Sequence, residues 1–197
     1  MEIGIVGAGT VGTVLAQTFA RGDNQVKLSR HSGAASLAPR RAEFAANVAF
    51  VEVSVALQQP LVIIAVPFEQ APAVLRQVAD YDQRIVVDVT NQFTADFKKI
   101  KTAPLTGSEV IAAAANNARV IKAFNTLPPE FMAGHVTGEG HRVLFYAGDD
   151  IVAKKTFAEL VRPLNFRPVN LGKLRHGGSV MQVGGGLGNT HFVQIEE

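Results

Sequence analysis

The sequence predicts an open, doubly wound α/β fold: a parallel sheet with helices on both faces. Three observations carry that expectation. Short β-branched runs alternate with helical stretches along nearly the whole chain. One of these runs, Leu61 to Ala65, is apolar throughout, as a parallel strand buried on both faces must be. The first run, Ile3 to Val6, passes directly into glycines and then into a helical pattern.

The elements follow in order. After the Ile3–Val6 strand, Val11, Val14, Leu15 and Phe19 recur at helical spacing, which predicts a helix from Thr10 to Arg21 stopped by Gly22. Gln25 to Leu28 is a second strand. Ser32 to Phe44 is weakly helical and interrupted by Pro39, Asn47 to Val51 is a third strand, and Val53 to Gln58 is a short helix or loop. Pro67 ends the Leu61–Ala65 strand. Ala71 to Ala79 is a helix that tolerates Pro72 in its first turn. Arg84 to Val89 is a strand, Ser108 to Asn117 a helix with Ser108 as its N-cap, and Arg119 to Phe124 a strand. Pro128 and Pro129 open a short helix. Val143 to Ala147 is a strand, Asp150 to Val161 a helix whose acidic start suits its dipole, and Arg167 to Leu171 the last clear strand. The division expected is a nucleotide-binding domain over 1–172 and a short glycine-rich extension over 173–197 that is not a domain of its own. Gly177, Gly178, Gly184, Gly185, Gly186 and Gly188 in that extension fit either a flexible loop or a close backbone approach to a ligand.

Composition narrows the function. The chain has 197 residues, 47% hydrophobic and 18% charged, which excludes intrinsic disorder. Nineteen basic and seventeen acidic residues leave a charge of +2, with no clustered basic stripe for nucleic acid. The short runs Arg40-Arg41, Lys98 to Lys101 and Lys154-Lys155 read as solvated surface. With no cysteine there is no disulfide scaffold, thiolate metal site or cysteine nucleophile. No apolar run is long enough to span a membrane, and the expectation is a cytoplasmic protein without nucleic-acid or membrane partners. The five histidines show no metal-ligand spacing, so no metal is expected, and no Gly-x-Ser-x-Gly elbow is present.

The most informative motif is Gly7-Ala8-Gly9-Thr10-Val11-Gly12, which joins a predicted strand to a predicted helix. Gly7 allows the tight turn, Gly9 lets the backbone approach a pyrophosphate, and Gly12 lets the helix lie close to the strand. The free N–H groups at the helix start then face the phosphates. Twenty-two positions after Gly7, where NAD readers carry an acid, the chain has Ser29-Arg30-His31. Ser29 and His31 can donate to a ribose 2′-phosphate, and Arg30 can pair with it and lie along the adenine. The expected cofactor is therefore NADP(H).

Ligands of open α/β sheets sit beyond the carboxyl ends of the strands. Ala65, Val66 and Pro67 form an apolar wall for a nicotinamide there. Asn91 and Asn125 offer amides, Thr126 a hydroxyl, and Phe124 a ring for a flat heterocycle. Turn chemistry alone also accounts for Pro, Asn and Thr at strand ends. Asp88 and Lys122, on neighbouring strands, fit an acid–base pair or, more readily, a structural ion pair. No catalytic residue is assigned.

Taken together, these residues resemble the NADP oxidoreductases that use coenzyme F420, and their relatives in the cytosolic domain of the STEAP metalloreductases. The resemblance runs through Gly7 to Gly12, Ser29-Arg30, Ala65-Val66-Pro67, Asp88 to Asn91, Val120 to Thr126 and Leu164 to Gly172. It implies a Rossmann-type fold with NADPH bound across the sheet edge, its nicotinamide near Val66, Pro67 and Asn91. It implies an F420-type deazaflavin stacked on that ring near Phe124, Asn125 and Thr126, and a homodimer. The chain after Leu171 is shorter and richer in glycine than the helical region family members carry. A flavin acceptor, with metal-ion reduction beyond it, therefore stays open, as does an NADP(H) sensor without turnover.

Overall fold

The computed structural model describes residues 1–94 and 96–195. Its strands are β1 (Glu2–Val6), β2 (Gln25–Ser29), β3 (Val48–Phe50), β4 (Leu61–Ile64), β5 (Ile85–Asp88), β6 (Arg119–Ala123), β7 (His141–Gly148), β8 (Phe166–Asn170) and β9 (Val193–Gln194). Its helices are α1 (Thr10–Ala20), α2 (Val53–Ala56), α3 (Ala71–Leu75), α4 (Gly107–Ala114), α5 (Ile151–Val161) and α6 (Leu174–Met181). The strands form one sheet in the order β3-β2-β1-β4-β5-β6-β7-β8, with β9 paired to the start of β7.

The two-sided burial expected of β4 is visible in its alternation. Leu61 and Ile63 point into a core shared with α1 and α5, through Leu15, Phe19, Phe157 and Val161. Val62 and Ile64 point into a second core with α2, α3 and α4, through Ala56, Leu75 and Ile111. Each of these side chains is buried, and each except that of Ala56 contributes roughly 1.5–3 kcal/mol against leaving it in water. The chain leaves β1 toward β2 on one side and returns to β4 on the other. That reversal opens a crevice beyond Val6 and Ile64, where the ends are tied by Gly7 N–H to the Ser29 carbonyl (3.0 Å) and Ala65 N–H to the Val6 carbonyl (2.8 Å).

Four expectations change. The sheet is not wholly parallel, because β7 runs antiparallel to β6. Only a 3₁₀ turn at Pro129–Phe131 joins them, and a parallel return needs a longer crossover, usually a full helix. The Ser32–Phe44 segment is a 3₁₀ helix, Ala34–Glu43, with Pro39 inside it. The N-cap of α4 is Thr106 rather than Ser108. Thr106 Oγ1 accepts from Glu109 N–H (3.2 Å) and Glu109 Oε2 accepts from Thr106 N–H (2.7 Å), a reciprocal box set by the Thr-x-x-Glu spacing. Finally, Gly177 and Gly178 lie in helix α6 and not in a loop.

Gly177 shows why α6 carries glycine. A Cβ there would sit 2.6 Å from Ala147 Cβ and 2.8 Å from the Leu171 carbonyl oxygen, so the helix lies almost on the backbone of β7. Gly177→Ala is expected to destabilise the protein by about 1–3 kcal/mol through overpacking, despite the better helix propensity of alanine. Urea unfolding checks this, and a stabilised variant would show that α6 has room to move.

Candidate functional site: a dinucleotide crevice and the cavity beside it

The three glycines of the β1–α1 turn are required for three different reasons. Gly7 has φ +110°, and a Cβ on it would meet the Ala65 carbonyl oxygen at 2.3 Å. Gly12 is buried against the turn, where a Cβ would lie 1.7 Å from the Gly7 carbonyl oxygen. Gly9 has an ordinary φ of −75° and no protein atom within 4 Å of its Cβ position. Nothing inside the protein demands glycine there. Gly9 is the N-cap of α1 and no side chain caps that end, so the first N–H groups, at Thr10, Val11 and Gly12, stay open toward the crevice.

Arg40 braces this loop. Its guanidinium donates to the Ala8 carbonyl (3.0 Å) and to Thr13 Oγ1 (3.1 Å) while pairing with Glu43 (2.6 Å). Arg41 is also anchored, over the Phe50 ring at 5.0 Å and on the Phe44 carbonyl at 2.9 Å. The two arginines are therefore structural ties and not a solvated run. Only the fold brings Arg40 to Ala8, so no local pattern could have announced it.

At the end of β2 a shallow pocket of about 290 Å³ is lined by Ala8, Gly9, Arg30, His31 and Ser32. Arg30 and His31 are exposed, and among the described residues neither has an ion pair or side-chain hydrogen bond. No carboxylate lines this pocket. Ser29 departs from expectation. It is fully buried, its hydroxyl donates to the Ile5 carbonyl (3.1 Å), and it does not line the pocket. It is still a strand residue, on the Gln25 and Lys27 face of β2 and tied to β1 by that bond; Ser32 is the serine that lines the pocket.

Along the crevice lie two cavities. The first, about 570 Å³, is bounded by Gly9 to Val11, Ala65 to Phe68, Val89 to Asn91, and the rings of Phe93 and Phe97. The second, about 560 Å³, shares Val11, Val89, Asn91 and Phe93 with it. It continues past Asn125 and Thr126 to Met132 and the glycine segment after α6. Asn91 and Asn125 join the two: Asn91 Nδ2 donates to the Asn125 carbonyl (2.9 Å). Asn125 Nδ2 donates to Asn91 Oδ1 (3.1 Å) and to the Met181 carbonyl (2.8 Å). Asn125 Oδ1 and Thr126 Oγ1 are buried with no hydrogen-bond partner. Buried polar atoms are nearly always satisfied, and both of these belong to residues that line the second cavity.

Phe124 is not part of that wall. It is fully buried, and its ring meets Phe19, Phe157 and Phe166 edge-on at centroid distances of 6.0, 6.1 and 5.6 Å. Its φ of +64° turns the chain out of β6, sending the ring into the core while Asn125 and Thr126 face the cavity. The aromatic walls are instead Phe93 and Phe97, the latter 82% exposed. They sit on a hairpin with no motif, and sequence reading missed them.

Asp88 and Lys122 form a buried pair with Nζ to Oδ2 at 3.0 Å. The other Asp88 oxygen accepts from Thr90 N–H (2.9 Å) and Thr90 Oγ1 (2.7 Å), and Lys122 also donates to the Thr90 carbonyl. Burial pulls the Lys122 ammonium below the usual lysine range, with Asp88 pulling the other way. The pair lines neither cavity; it holds the Asp88–Asn91 turn that presents Asn91 to both. Among the described residues, no His, Asp or Glu cluster is arranged to hold a metal, and no helix is long and apolar enough to cross a membrane.

With this geometry known, the comparisons are specific. A solved structure of the hypothetical protein SMa0349 from Sinorhizobium meliloti matches with 35% identity and a TM-score of 0.91, over 98% of this chain and 95% of that one. Residues 2–92, which hold the glycine turn, the Arg30 pocket and Asn91, match the family described as NADP oxidoreductase, coenzyme F420-dependent. This N-terminal part of the chain, from β1 through β5, belongs to that family. The sheet as a whole is Rossmann-like, and its first five strands carry the match to an NADP oxidoreductase family. Two further structures share the fold. One, from Arthrobacter sp. FB24, is proposed to be an F420-dependent NADP-reductase, with 24% identity, a TM-score of 0.73 and coverage of 88% and 86%. The other, a reductive aminase from Aspergillus terreus in complex with NADPH4, has 16% identity and a TM-score of 0.64. It is matched over 89% of this chain and 56% of its own.

Proposed function

We propose that this protein is an oxidoreductase that passes hydride between NADP(H) and an F420-type deazaflavin. The observation that carries the reading is the pair of adjoining cavities. One continues from the dinucleotide turn; the other shares four of its residues and holds the orphaned Asn125 Oδ1 and Thr126 Oγ1. A donor ring in the first and an acceptor ring in the second would meet at Val11, Val89, Asn91 and Phe93.

The residues fit NADP(H). The open N–H groups of α1 would hold the pyrophosphate over Gly9, and Arg30 and His31 the 2′-phosphate. Ala65, Val66 and Pro67 would support one face of the nicotinamide, with Asn91 near its amide. NADPH supplies the hydride when bound. The protein supplies orientation and a largely apolar site, because transfer between two facing rings needs little acid–base help. That agrees with Lys122 and Asp88 being occupied with each other and with Thr90. In this reading residues 1–172 carry the donor, and the glycine segment of 173–197 closes the acceptor side.

The acceptor is tested by NADPH consumption with F420, FMN or FAD supplied singly. Turnover with F420 is the expected result. Consumption with FMN or FAD alone would move the acceptor to a flavin. NADPH binding without turnover on any of them would leave a sensor. For the donor, Arg30→Ala should weaken NADPH by about 1.5–3 kcal/mol, the loss of a charge-assisted bond, and leave NADH almost unchanged. Equal effects on both nucleotides would contradict the 2′-phosphate role.

A further inference from the structure

A third cavity, about 430 Å³, lies behind the acceptor cavity and has no part in the site described so far. Gln92 and Gln182 line it, while their chain neighbours Phe93 and Val183 line the acceptor cavity. The partition is thus two adjacent chain segments, joined by a Gln92 Nε2 to Gln182 Oε1 hydrogen bond of 2.7 Å. Lys99, Lys101 and Arg175 line the same cavity. Arg175 faces Glu109 at 3.9 Å, and nearby Lys98 is paired with Asp96 at 2.6 Å. Lys99 and Lys101 have no acidic partner among the described residues. Lys99 reaches furthest: a Cβ on Gly184, which lines the acceptor cavity, would lie 2.7 Å from its Nζ. One cation therefore spans the two cavities.

We propose that this basic cavity is a subsite for an anionic group, phosphate or carboxylate, carried by the acceptor at the end remote from its ring. The inference rests on the reading of the neighbouring cavity as the acceptor site. Two unopposed ammonium groups in a cleft attract an anion and hold it by charge-assisted bonds. A neutral molecule with the same ring would use the acceptor cavity and gain nothing here. The chain would thus select ring systems that bear a charged tail.

The test is binding rather than turnover, by fluorescence titration in the presence of NADP⁺. Two matched pairs serve as probes: F420 against the same ribityl deazaflavin core without its anionic tail, and FMN against riboflavin. In the wild type the tail-bearing member of at least one pair should bind about tenfold more tightly, and in Lys99→Ala/Lys101→Ala that gap should close while the tail-less member binds as before. Lys99→Arg/Lys101→Arg should keep the gap. Equal binding within both wild-type pairs, or a gap that survives the alanine substitutions, would overturn the subsite. A gap that closes as expected in a protein that never consumes NADPH would refute the proposed reaction and leave the subsite standing.

Discussion

Gly9→Ala should fold normally and lose NADPH affinity by about a hundredfold or more. The position has φ −75° and no protein atom within 4 Å of a new Cβ, so the methyl group strains nothing in the free protein. Alanine is a poorer N-cap than glycine, which limits the stability loss to about 1 kcal/mol. In the complex the same methyl group would occupy the space of the pyrophosphate and lift it from the N–H groups of α1. Two charge-assisted bonds, at about 1.5–3 kcal/mol each, account for the size of the effect. Calorimetric titration alongside thermal unfolding checks both halves. Gly12→Ala is the contrast: its Cβ would lie 1.7 Å from the Gly7 carbonyl oxygen, so that variant should lose stability as well as binding. Undiminished NADPH affinity in Gly9→Ala would remove the pyrophosphate from this turn.

The second large effect belongs to Lys122. Lys122→Met should cost about 3–5 kcal/mol in urea unfolding, because it leaves Asp88 buried without its countercharge. Asp88→Asn/Lys122→Met should cost clearly less than the two single changes added together, since the main penalty is the uncompensated charge. The same experiment separates the two roles the sequence allowed. If Lys122 were a proton donor, Lys122→Met would abolish turnover in a protein of ordinary stability. If it is a tie for the Asp88–Asn91 turn, stability falls first, and the activity that remains keeps its dependence on pH.

The strands and the nucleotide turn were legible because both are written locally. β-Branched runs of four or five residues bounded by Gly, Pro or Asn located β1, β2, β4, β5 and β6 to within a residue or two. The glycine spacing carried its own context of strand and helix. The direction of β7 was not legible, because a strand's pattern is the same read either way and only its connection decides. Helix α6 was hidden by Gly177 and Gly178, which read as a loop in sequence; at Gly177 the missing side chain proves to be close packing in space.

The site was legible at the level of strand ends and not of individual faces. Ser29 and Phe124 each stand at the end of the correct strand, but one spends its hydroxyl on the Ile5 carbonyl of β1 and the other turns into the core at φ +64°. Their neighbours Arg30 and Asn125 face the cavities instead. Phe93, Phe97 and Arg40 arrive from a hairpin and a 3₁₀ segment with no recurring pattern, and the fold alone brings them to the crevice.

The central claim is direct transfer between two rings that meet at Val11, Val89, Asn91 and Phe93. It is tested most directly by incubating the purified protein with F420 and NADPH carrying deuterium at the transferring position of C4. The account predicts that NADPH is consumed and that the deuterium is found on the reduced deazaflavin, where it is bound to carbon and does not exchange. NADPH bound but not consumed, or deuterium recovered in water, would contradict it.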